Sequence, residues 1–306
     1  MENSKIVIAG GSGMIGTHLT TILLDQGFEV WWLSRSGKSQ PGVRTALWDI
    51  DNKKIEPGAL DGAHAVLNLA GENIGDGRWT ARRKQKIVDS RRDSTRLLGE
   101  SIANLPEPPT VFIGASASGY YGDRKNEVVT EDSPPGGSGF HSQSVIQIEK
   151  AIHDFIPEEI RTVIPRFGVV LSNKGGALPR FTTPLRYGLA SYMGNGKQWM
   201  SWIHIHDLCR FLSLALRVST IQGTYNVVAP GAISNKTFVA TLRKVYNPLS
   251  LIIPVPAWVL RLVLGEMADV VLDSVKIVPE RMLQTNFDFH FPDIKSALTH
   301  LKTSGD

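Results

Sequence analysis

The sequence predicts an α/β fold, with a doubly wound parallel sheet and a smaller, α-rich C-terminal lobe. Short apolar stretches alternate with amphipathic ones up to residue 171, a glycine-rich turn follows the first stretch, and the alternation stops after residue 171. Strands that alternate with helices form parallel sheets covered on both faces. We therefore predict one domain over 1–171, joined by a strand near 225–228, and a lobe over 172–306 whose segment 250–306 stands apart.

The first strand is predicted at Lys5–Ala9 and the first helix at Met14–Asp25, where apolar residues have helical spacing and Gly27 supplies a C-terminal cap. By the same patterns, strands are predicted at 29–33, 65–69, 111–115 and 162–171, and helices at 79–105 and 142–155.

Residues 172–196 show no sustained period, and the elements resume as a strand at 202–206 and a helix at 208–218 capped by Asp207. In that strand, His204 and His206 would face the same side. Two short amphipathic helices are predicted within 250–306, one of them burying an apolar face over 258–264.

Composition narrows the function classes. The chain has 306 residues, a net charge of +4 and one cysteine, Cys209, so no internal disulfide or cysteine metal cluster can form. We predict no metal site and no nucleic-acid partner. We also predict no membrane contact, because no secretory leader and no apolar run of about 20 residues occurs. These features favour a cytoplasmic protein with an anionic small-molecule ligand.

The glycine-rich turn has the spacing of a dinucleotide-binding loop of the Rossmann type. It reads Gly10-Gly11-Ser12-Gly13-Met14-Ile15-Gly16, with Gly10, Gly13 and Gly16 three residues apart. Such glycines allow a tight turn, close approach of a pyrophosphate and helix–strand packing, while the helix N-terminus offers free N–H groups. The loop predicts cofactor contacts at Gly10, Ser12, Gly13, Met14, Ile15 and Gly16.

The end of the second strand predicts which nucleotide binds. An NAD site usually has Asp or Glu there, whereas this chain reads Leu33-Ser34-Arg35-Ser36. A hydroxyl and a guanidinium suit a 2′-phosphate, so Ser34 and Arg35 favour NADP(H). The alternative is that Arg35 is an ordinary solvated surface residue.

Further motifs give the chain a family resemblance: Asn-Leu-Ala-Gly-Glu-Asn-Ile at 68–74, Ser-Ala-Ser-Gly-Tyr-Tyr-Gly at 116–122, Trp-Ile-His-Ile-His-Asp-Leu at 202–208 and Val-Pro-Glu-Arg at 278–281. The chain resembles the extended short-chain dehydrogenase/reductase superfamily, in the epimerase family branch (YfcH-like, SulA-homologue) with a C-terminal domain of unknown function. The resemblance implies further cofactor contacts at Leu69, Ala70, Gly71, Lys86, Arg91 and Val170. It also implies a small-molecule substrate bound by the lobe and allows a homodimer.

The superfamily's usual Tyr-x-x-x-Lys pair is absent. Phe140 and Ser144 stand where it is expected, and no such pair occurs within 130–160. The candidate catalytic residues are Ser116, Tyr121, Tyr120 and His204; Ser118, His141 and Arg166 are weaker alternatives, and 194–202 is a candidate cleft wall. The sequence therefore predicts an NADP(H)-binding oxidoreductase or nucleotide-sugar epimerase-like enzyme. The alternative is a catalytically silent NADP(H)-binding sensor or interaction protein, for which the family's naming after a cell-division inhibitor offers a hint.

Overall fold

A computed structural model describes residues 4–304 of the chain. The strands are β1 Lys5–Ala9, β2 Glu29–Ser34, β3 Val43–Asp49, β4 Lys54–Ile55, β5 Ala63–Asn68, β6 Val111–Gly114, β7 Ser116–Ala117, β8 Val128–Val129, β9 Arg161–Phe167, β10 Val169–Ser172, β11 Gly175–Gly176, β12 Leu189–Met193, β13 Trp199–Met200, β14 Trp202–His204, β15 Gly223–Val227, β16 Ile233–Ser234, β17 Leu251–Val255 and β18 Lys276–Ile277. The α-helices are α1 Met14–Asp25, α2 Ala81–Ala103, α3 Phe140–Phe155, α4 Leu178–Arg186, α5 Ile205–Arg217, α6 Asn235–Tyr246, α7 Ala257–Leu264, α8 Asp269–Leu272, α9 Glu280–Gln284 and α10 Ile294–Ser304.

The main sheet is the predicted parallel, Rossmann-like one. Its order is β15-β9-β6-β5-β1-β2-β3-β4, with β7 also beside β9, and only the β3–β4 pair is antiparallel. Successive residues of β1 point to opposite faces, Ile6 and Ile8 into one core and Val7 and Ala9 into the other. Helices α1 and α5 cover the first face and α2 and α3 the second, so the fold class is confirmed.

The C-terminal lobe is a separate packing unit beside the carboxyl edge of this sheet. Helices α4, α6 and α10 share one apolar core with Trp202, and β12 pairs with β17. The return of residues near 225–228 to the main sheet is observed, since β15 pairs with β9. Strand β18 pairs with β8, which ties the C-terminal segment to the loop that follows the sixth strand. Among the residues that the structure describes, no helix has the length and apolarity to cross a bilayer.

The single strand predicted at 162–171 is wrong. The chain leaves the main sheet at Gly168, and β10 instead pairs with β14 and β11. A Cβ at Gly168 would lie 2.7 Å from the carbonyl oxygen of Ser201, so glycine permits this crossover. Elements were also missed in two other places. Residues 172–196, where the sequence showed no sustained period, contain α4 and β12, and β3 was not predicted at all. Both misses concern half-exposed elements, where the apolar period is weak.

The junction at His204 also differs from the prediction. The strand ends at His204, whose ring Nδ1 accepts the backbone N–H of His206, so His204 caps α5. Asp207 is therefore not the cap; its carboxylate accepts the backbone N–H groups of His290 and Phe291 and anchors the C-terminal segment. Because His206 lies in the helix, the two histidines do not share a strand face.

The C-terminal segment is more elaborate than two short helices. It contains α7, α8, α9 and α10 together with β17 and β18. Helix α7 lies where it was predicted, but Trp258, Leu262 and Val263 are exposed and only Leu260 is buried. The expectation that this helix buries its apolar face is therefore wrong.

Candidate functional site

The glycine loop presents an uncapped helix N-terminus. Helix α1 begins after Gly13, which offers no side-chain cap, and its first turn carries no acidic residue. By contrast, Thr80, His204 and Ser234 cap α2, α5 and α6 with side-chain acceptors. The loop is closed by the Gly13 N–H, which donates to the Gly10 carbonyl at 3.1 Å. The leading amides of α1 are thus left for an external acceptor, as an anion site requires.

Two of the glycines are required by close packing. Gly10 has a φ of +81°, and a Cβ there would lie 2.7 Å from the backbone carbon of Leu69. A Cβ at Gly16 would lie 2.5 Å from the Gly11 carbonyl oxygen. The loop therefore holds the start of α1 tightly against β1 and against the end of β5. Ser12 is exposed, and the half-buried Met14 contacts the β11 hairpin at Gly175.

Arg35 lines a large crevice, a cavity of about 1400 Å³ between the ends of β2 and β3 and helix α2. Its side chain is exposed, while Ser34 is buried. The Ser34 hydroxyl accepts the backbone N–H of Lys38 at 3.1 Å and that of Ser36 at 3.4 Å. Ser34 therefore shapes the turn that carries Arg35, and the guanidinium stands free of it.

The predicted contacts at Leu69, Ala70 and Gly71 form the turn that follows β5. Asn68 positions this turn: its amide donates to Ser94 and Thr95 of α2 at 3.0 Å each, and its oxygen accepts the Ala70 N–H. Leu69 donates its own N–H to the carbonyl of Ala9, beside the glycine loop. The turn and the loop thus meet at the same edge of the sheet.

Arg91 lies directly over Gly71, where an added Cβ would come within 2.7 Å of its guanidinium. Within residues 4–304 its guanidinium donates to the carbonyl of Ile87 and forms no ion pair. Burial lowers the pKa of Arg91, partly offset by the charge of Glu72. A half-buried cation without a carboxylate partner suits an anionic ligand.

Lys86 and Val170 are placed differently. Lys86 is exposed, lines the crevice and is 3.5 Å from the Glu72 carboxylate. Glu72 also binds Arg83 at 2.7 Å, so this acid already neutralises part of the basic face of α2. Val170 lies in β10, beside Ile203 of β14, and is half-buried.

Three of the catalytic candidates belong to one buried network. Glu149 binds the Arg166 guanidinium with both carboxylate oxygens at 2.8 Å and accepts the Ser116 hydroxyl at 2.6 Å. Tyr121 is fully buried, donates to Asn226 at 2.6 Å and accepts from Arg166 at 2.8 Å. The Arg166 guanidinium lies 3.4 Å from the centre of the Tyr120 ring.

The side chains of this network bind one another and so stabilise the edge of the sheet. Burial raises the pKa of Tyr121, against the opposing effect of Arg166, so its phenol stays protonated. Although burial alone would lower the pKa of Arg166, its bonds to Glu149 raise it. Arg166 is thus neither solvated nor free for a substrate anion, and the catalytic roles of Ser116, Tyr120 and Tyr121 stay predictions.

His204 is likewise buried and occupied. Its Nε2 lies 3.1 Å from Nδ1 of His300, and its ring stacks on Phe291 with centroids 4.0 Å apart. Burial, together with His300 and His206, lowers its pKa to about 3. The ring is neutral near pH 7 and joins α5 to the C-terminal segment; its catalytic role also stays a prediction. Within the described part of the chain, no group of His, Cys, Asp or Glu has a metal-binding arrangement.

A second, smaller cavity of about 160 Å³ lies between the turn after β7, the start of α3 and the lobe. Ser118, Gly119 and His141 line it from the nucleotide side, and Trp199 and Asp273 from the lobe side. The predicted cleft wall at 194–202 is therefore present in part, since Trp199 and Met200 line the cavity while Trp202 is fully buried in the core.

Sequence reasoning passed over three positions that shape the site. Asn68 and Glu149 act through buried hydrogen bonds whose partners are distant in sequence. Asp273 reaches the cavity only because β18 brings the C-terminal segment back to β8. The one signal available was the polar Asn68 at the end of an otherwise apolar strand.

Comparison with known proteins agrees with this architecture. The profile of the NAD dependent epimerase/dehydratase family matches residues 6–228, and that of a domain of unknown function, DUF1731, matches residues 255–301. Epimerase family protein SDR39U1 of Mus musculus is 36% identical over 297 residues, covering 96% of this chain and 98% of that protein. Epimerase family protein YfhF of Bacillus subtilis is 35% identical over 300 residues, covering 97% of each.

A solved structure gives the same result. The crystal structure of human epimerase family protein SDR39U1 (isoform 2) with NADPH superposes with a TM-score of 0.88 at 34% identity, covering 98% of this chain and 99% of that chain. The extended dehydrogenase/reductase-like resemblance is therefore confirmed. The chain belongs to the NAD dependent epimerase/dehydratase family, as an NAD(P)-binding protein that also carries the C-terminal DUF1731 domain.

Proposed function

We propose that this chain is an NADP(H)-dependent enzyme, an oxidoreductase or epimerase-like catalyst, acting on a small molecule between the sheet edge and the lobe. The observation that carries the proposal is the pairing of an uncapped α1 N-terminus with a free guanidinium at the end of β2. The first suits a pyrophosphate and the second an extra ribose phosphate. A relative crystallised with NADPH supports it.

Each part of the cofactor has fitting residues. Gly10, Gly13 and the leading amides of α1 would hold the pyrophosphate, Arg35 the 2′-phosphate, and Arg91 a further anionic group beside Gly71. Two observations fit this cofactor: glycines stand where a Cβ would collide with the backbone, and the half-buried Arg91 lacks a carboxylate partner within residues 4–304. When bound, the nicotinamide supplies or accepts a hydride.

The cofactor assignment is tested by calorimetric titration with NADPH and NADH. We expect Arg35→Ala to weaken NADPH binding about 10- to 100-fold, the loss of a charge-assisted phosphate contact, and to leave NADH binding unchanged. Arg44→Ala is the matched control, because Arg44 is an exposed arginine of β3 outside the crevice. Equal affinity of the wild type for the two nucleotides would refute the NADP(H) preference.

The second candidate function is a catalytically silent NADP(H)-binding sensor or interaction protein, with cell division as one setting. It is favoured by Phe140 and Ser144 at the positions of the usual acid–base pair, with Phe140 packed edge-on against Trp79. A screen that follows NADPH oxidation with carbonyl compounds, and NADP⁺ reduction or epimer formation with sugar nucleotides, separates the two functions. Tight NADPH binding without turnover of any compound would support the silent protein.

We also propose that the protein is cytoplasmic and forms a homodimer. Light scattering on purified protein, at low and high concentration, checks the second of these. A mass that stays at one chain throughout would remove the homodimer.

A further inference from the structure

We propose that the smaller cavity described above, called the inner cavity from here on, binds a compact, mainly apolar aldehyde or ketone. The oxygen of this substrate is held by His141 and protonated by Asp273. This inference rests on the proposed NADP(H)-dependent function and names its substrate class. Both side chains line the cavity of about 160 Å³, His141 from the first turn of α3 and Asp273 from the segment before β18.

Size limits the substrate first. A cavity of about 150 Å³ holds one benzene molecule, whereas drug-sized ligands need about 300 Å³ or more. At about 160 Å³, the cavity here has room for a ring with a short substituent and none for a sugar nucleotide. Its walls are mostly aliphatic or aromatic, and the apolar residues among them are Val169, Ala177, Phe181, Met193, Trp199, Met200, Val270, Val271 and Val275.

Many of the cavity's polar groups are already satisfied by the protein. Gln198 donates its amide to the carbonyls of Met193 and Val271, and Asn235 accepts the Met193 N–H. By contrast, within residues 4–304 the ring nitrogens of His141 and the hydroxyl of Ser118 form no hydrogen bond. A bound oxygen would therefore find its partners on the nucleotide side, near the end of β7.

The His141 ring is held where a substrate oxygen can reach it. Gly119 faces it closely, since a Cβ there would lie 2.6 Å from its Nε2, and Trp79 packs on its other side with centroids 6.2 Å apart. Burial, with the nearby charge of Arg91, lowers the pKa of His141 to about 4, against the opposing charge of Asp269. The ring is therefore neutral near pH 7 and acts as a hydrogen-bond donor that polarises a carbonyl, not as the source of the proton.

Asp273 is suited to supply that proton. It lines the inner cavity and also an adjoining surface cavity of about 380 Å³, which contains Asp123, Lys125 and Arg261. Burial and the like charges of Asp123 and Asp269 raise its pKa to about 6, against Lys125 and Arg261. A carboxyl group that contacts both the cavity and the surface can deliver a proton inward and regain one from water.

The reaction balances with the cofactor as reductant. The carbonyl carbon gains the hydride of NADPH, the C=O π pair moves to the oxygen, and that oxygen takes the proton of Asp273. NADP⁺, the alcohol and the Asp273 carboxylate result, and water reprotonates the carboxylate.

The test uses the full chain with benzaldehyde as the probe and UDP-glucose as the competing class. We expect wild-type protein to oxidise NADPH with benzaldehyde and to leave UDP-glucose unchanged in the presence of NADP⁺, with kcat/KM for benzaldehyde falling as pH rises above about 6. Asp273→Asn should lower kcat about 100-fold or more and flatten that pH profile, while Asp273→Glu should keep it. His141→Phe should lower kcat about 100-fold, and His153→Gln, at the exposed end of α3, should change nothing.

A binding readout is independent of turnover. We expect benzaldehyde to shift the ring-proton NMR signals of His141 saturably in the cofactor-free protein, and Ala177→Leu, which fills the cavity, to weaken this binding about tenfold. Failure to bind NADPH would sink the proposed function. If NADPH binds but UDP-glucose alone is turned over, or no benzaldehyde shift occurs, this inference falls while the cofactor assignment survives.

Discussion

The crevice beside Arg35 and the inner cavity lie along the same edge of the sheet but are built in opposite ways. The crevice is about 1400 Å³, and its walls carry charges of both signs: the basic Arg35, Lys54, Arg82 and Lys86, and the acidic Asp49, Asp51, Glu56, Glu72, Asp89 and Asp93. The inner cavity is about 160 Å³, mainly apolar, and lined by two titratable side chains, His141 and Asp273. A hydrated wall of mixed charge can bind an anion only through local contacts such as Arg35, whereas a small apolar space selects by size and shifts the pKa of groups within it.

The two regions also differ in what supports them. The crevice is formed mainly by exposed side chains that follow β2 and β3 or lie on α2. Beneath the inner cavity lies the buried network of Glu149, Arg166 and Tyr121. Ser116, two residues before the cavity-lining Ser118, donates a hydrogen bond to Glu149 of this network. The cavity therefore depends on the stability of the core. The predictions below test that contrast.

The largest effect is expected from Glu149→Ala. It leaves the buried Arg166 guanidinium without its carboxylate, which costs about 3–5 kcal/mol of the free energy of unfolding. Urea denaturation measures this, and Glu158→Ala, an exposed glutamate just after α3, should change the free energy by less than about 0.5 kcal/mol. A Glu149 variant as stable as the wild type would mean that the network does not support the cavity.

Next in size is Gly10→Ala. The added Cβ would meet the backbone of Leu69 in a left-handed conformation, with a strain of about 1–3 kcal/mol. We expect NADPH binding to weaken at least tenfold while far-ultraviolet circular dichroism stays native. Gly62→Ala is the matched control for strain, because Gly62 also has a positive φ but open space around it. Equal losses of NADPH affinity in both variants would show that the contact with Leu69 is irrelevant.

A pH effect of intermediate size is expected from His204. Its pKa is about 3 in the fold and about 6.5 when unfolded, so only the unfolded chain binds a proton between these values. His204 therefore stabilises the fold fully above about pH 6.5, and stability falls by up to about 1.4 kcal/mol per unit as pH drops below it. Asp273, with its raised pKa, acts in the opposite direction below about 6.

The contribution of His204 is isolated by comparing two pH dependences. Asn retains an acceptor for the His206 N–H but does not titrate, so His204→Asn should lose less stability than wild type between about pH 7 and about pH 5. Urea unfolding at both pH values gives the slopes. Parallel slopes would show that His204 does not titrate with folding.

The smallest effect contrasts two basic residues of α2. Arg91→Ala should weaken NADPH binding about tenfold, because a half-buried cation without an ion pair is lost from beside Gly71. Lys86→Ala should weaken it less than about twofold, because Lys86 is exposed and already near Glu72. Calorimetry decides between them, and a larger effect of Lys86 would reverse their assigned roles.

Local patterns were enough for the glycine loop and the elements that flank it. Gly10, Gly13 and Gly16 lie next to one another in sequence, and a strand, a glycine turn and an amphipathic helix follow in order, so their geometry is set by neighbours. The same holds for Ser34 and Arg35 at the end of β2. Prediction failed at Gly168 and Asp207, where the outcome depends on contacts with residues 30 or more positions away, and at α7, whose apolar face stays exposed.

The sequence by itself determined the fold class, the family and the glycine loop between β1 and α1, because these follow from short-range periodicity and backbone freedom at glycines. Only the tertiary structure decided that Arg166 is paired with Glu149, that Tyr121 is sealed in the core and that Asp273 shares a cavity with His141. Burial and charge neighbours are set by which distant segments pack together. The pKa of a side chain, and with it the chemistry it can perform, is therefore a property of the folded chain.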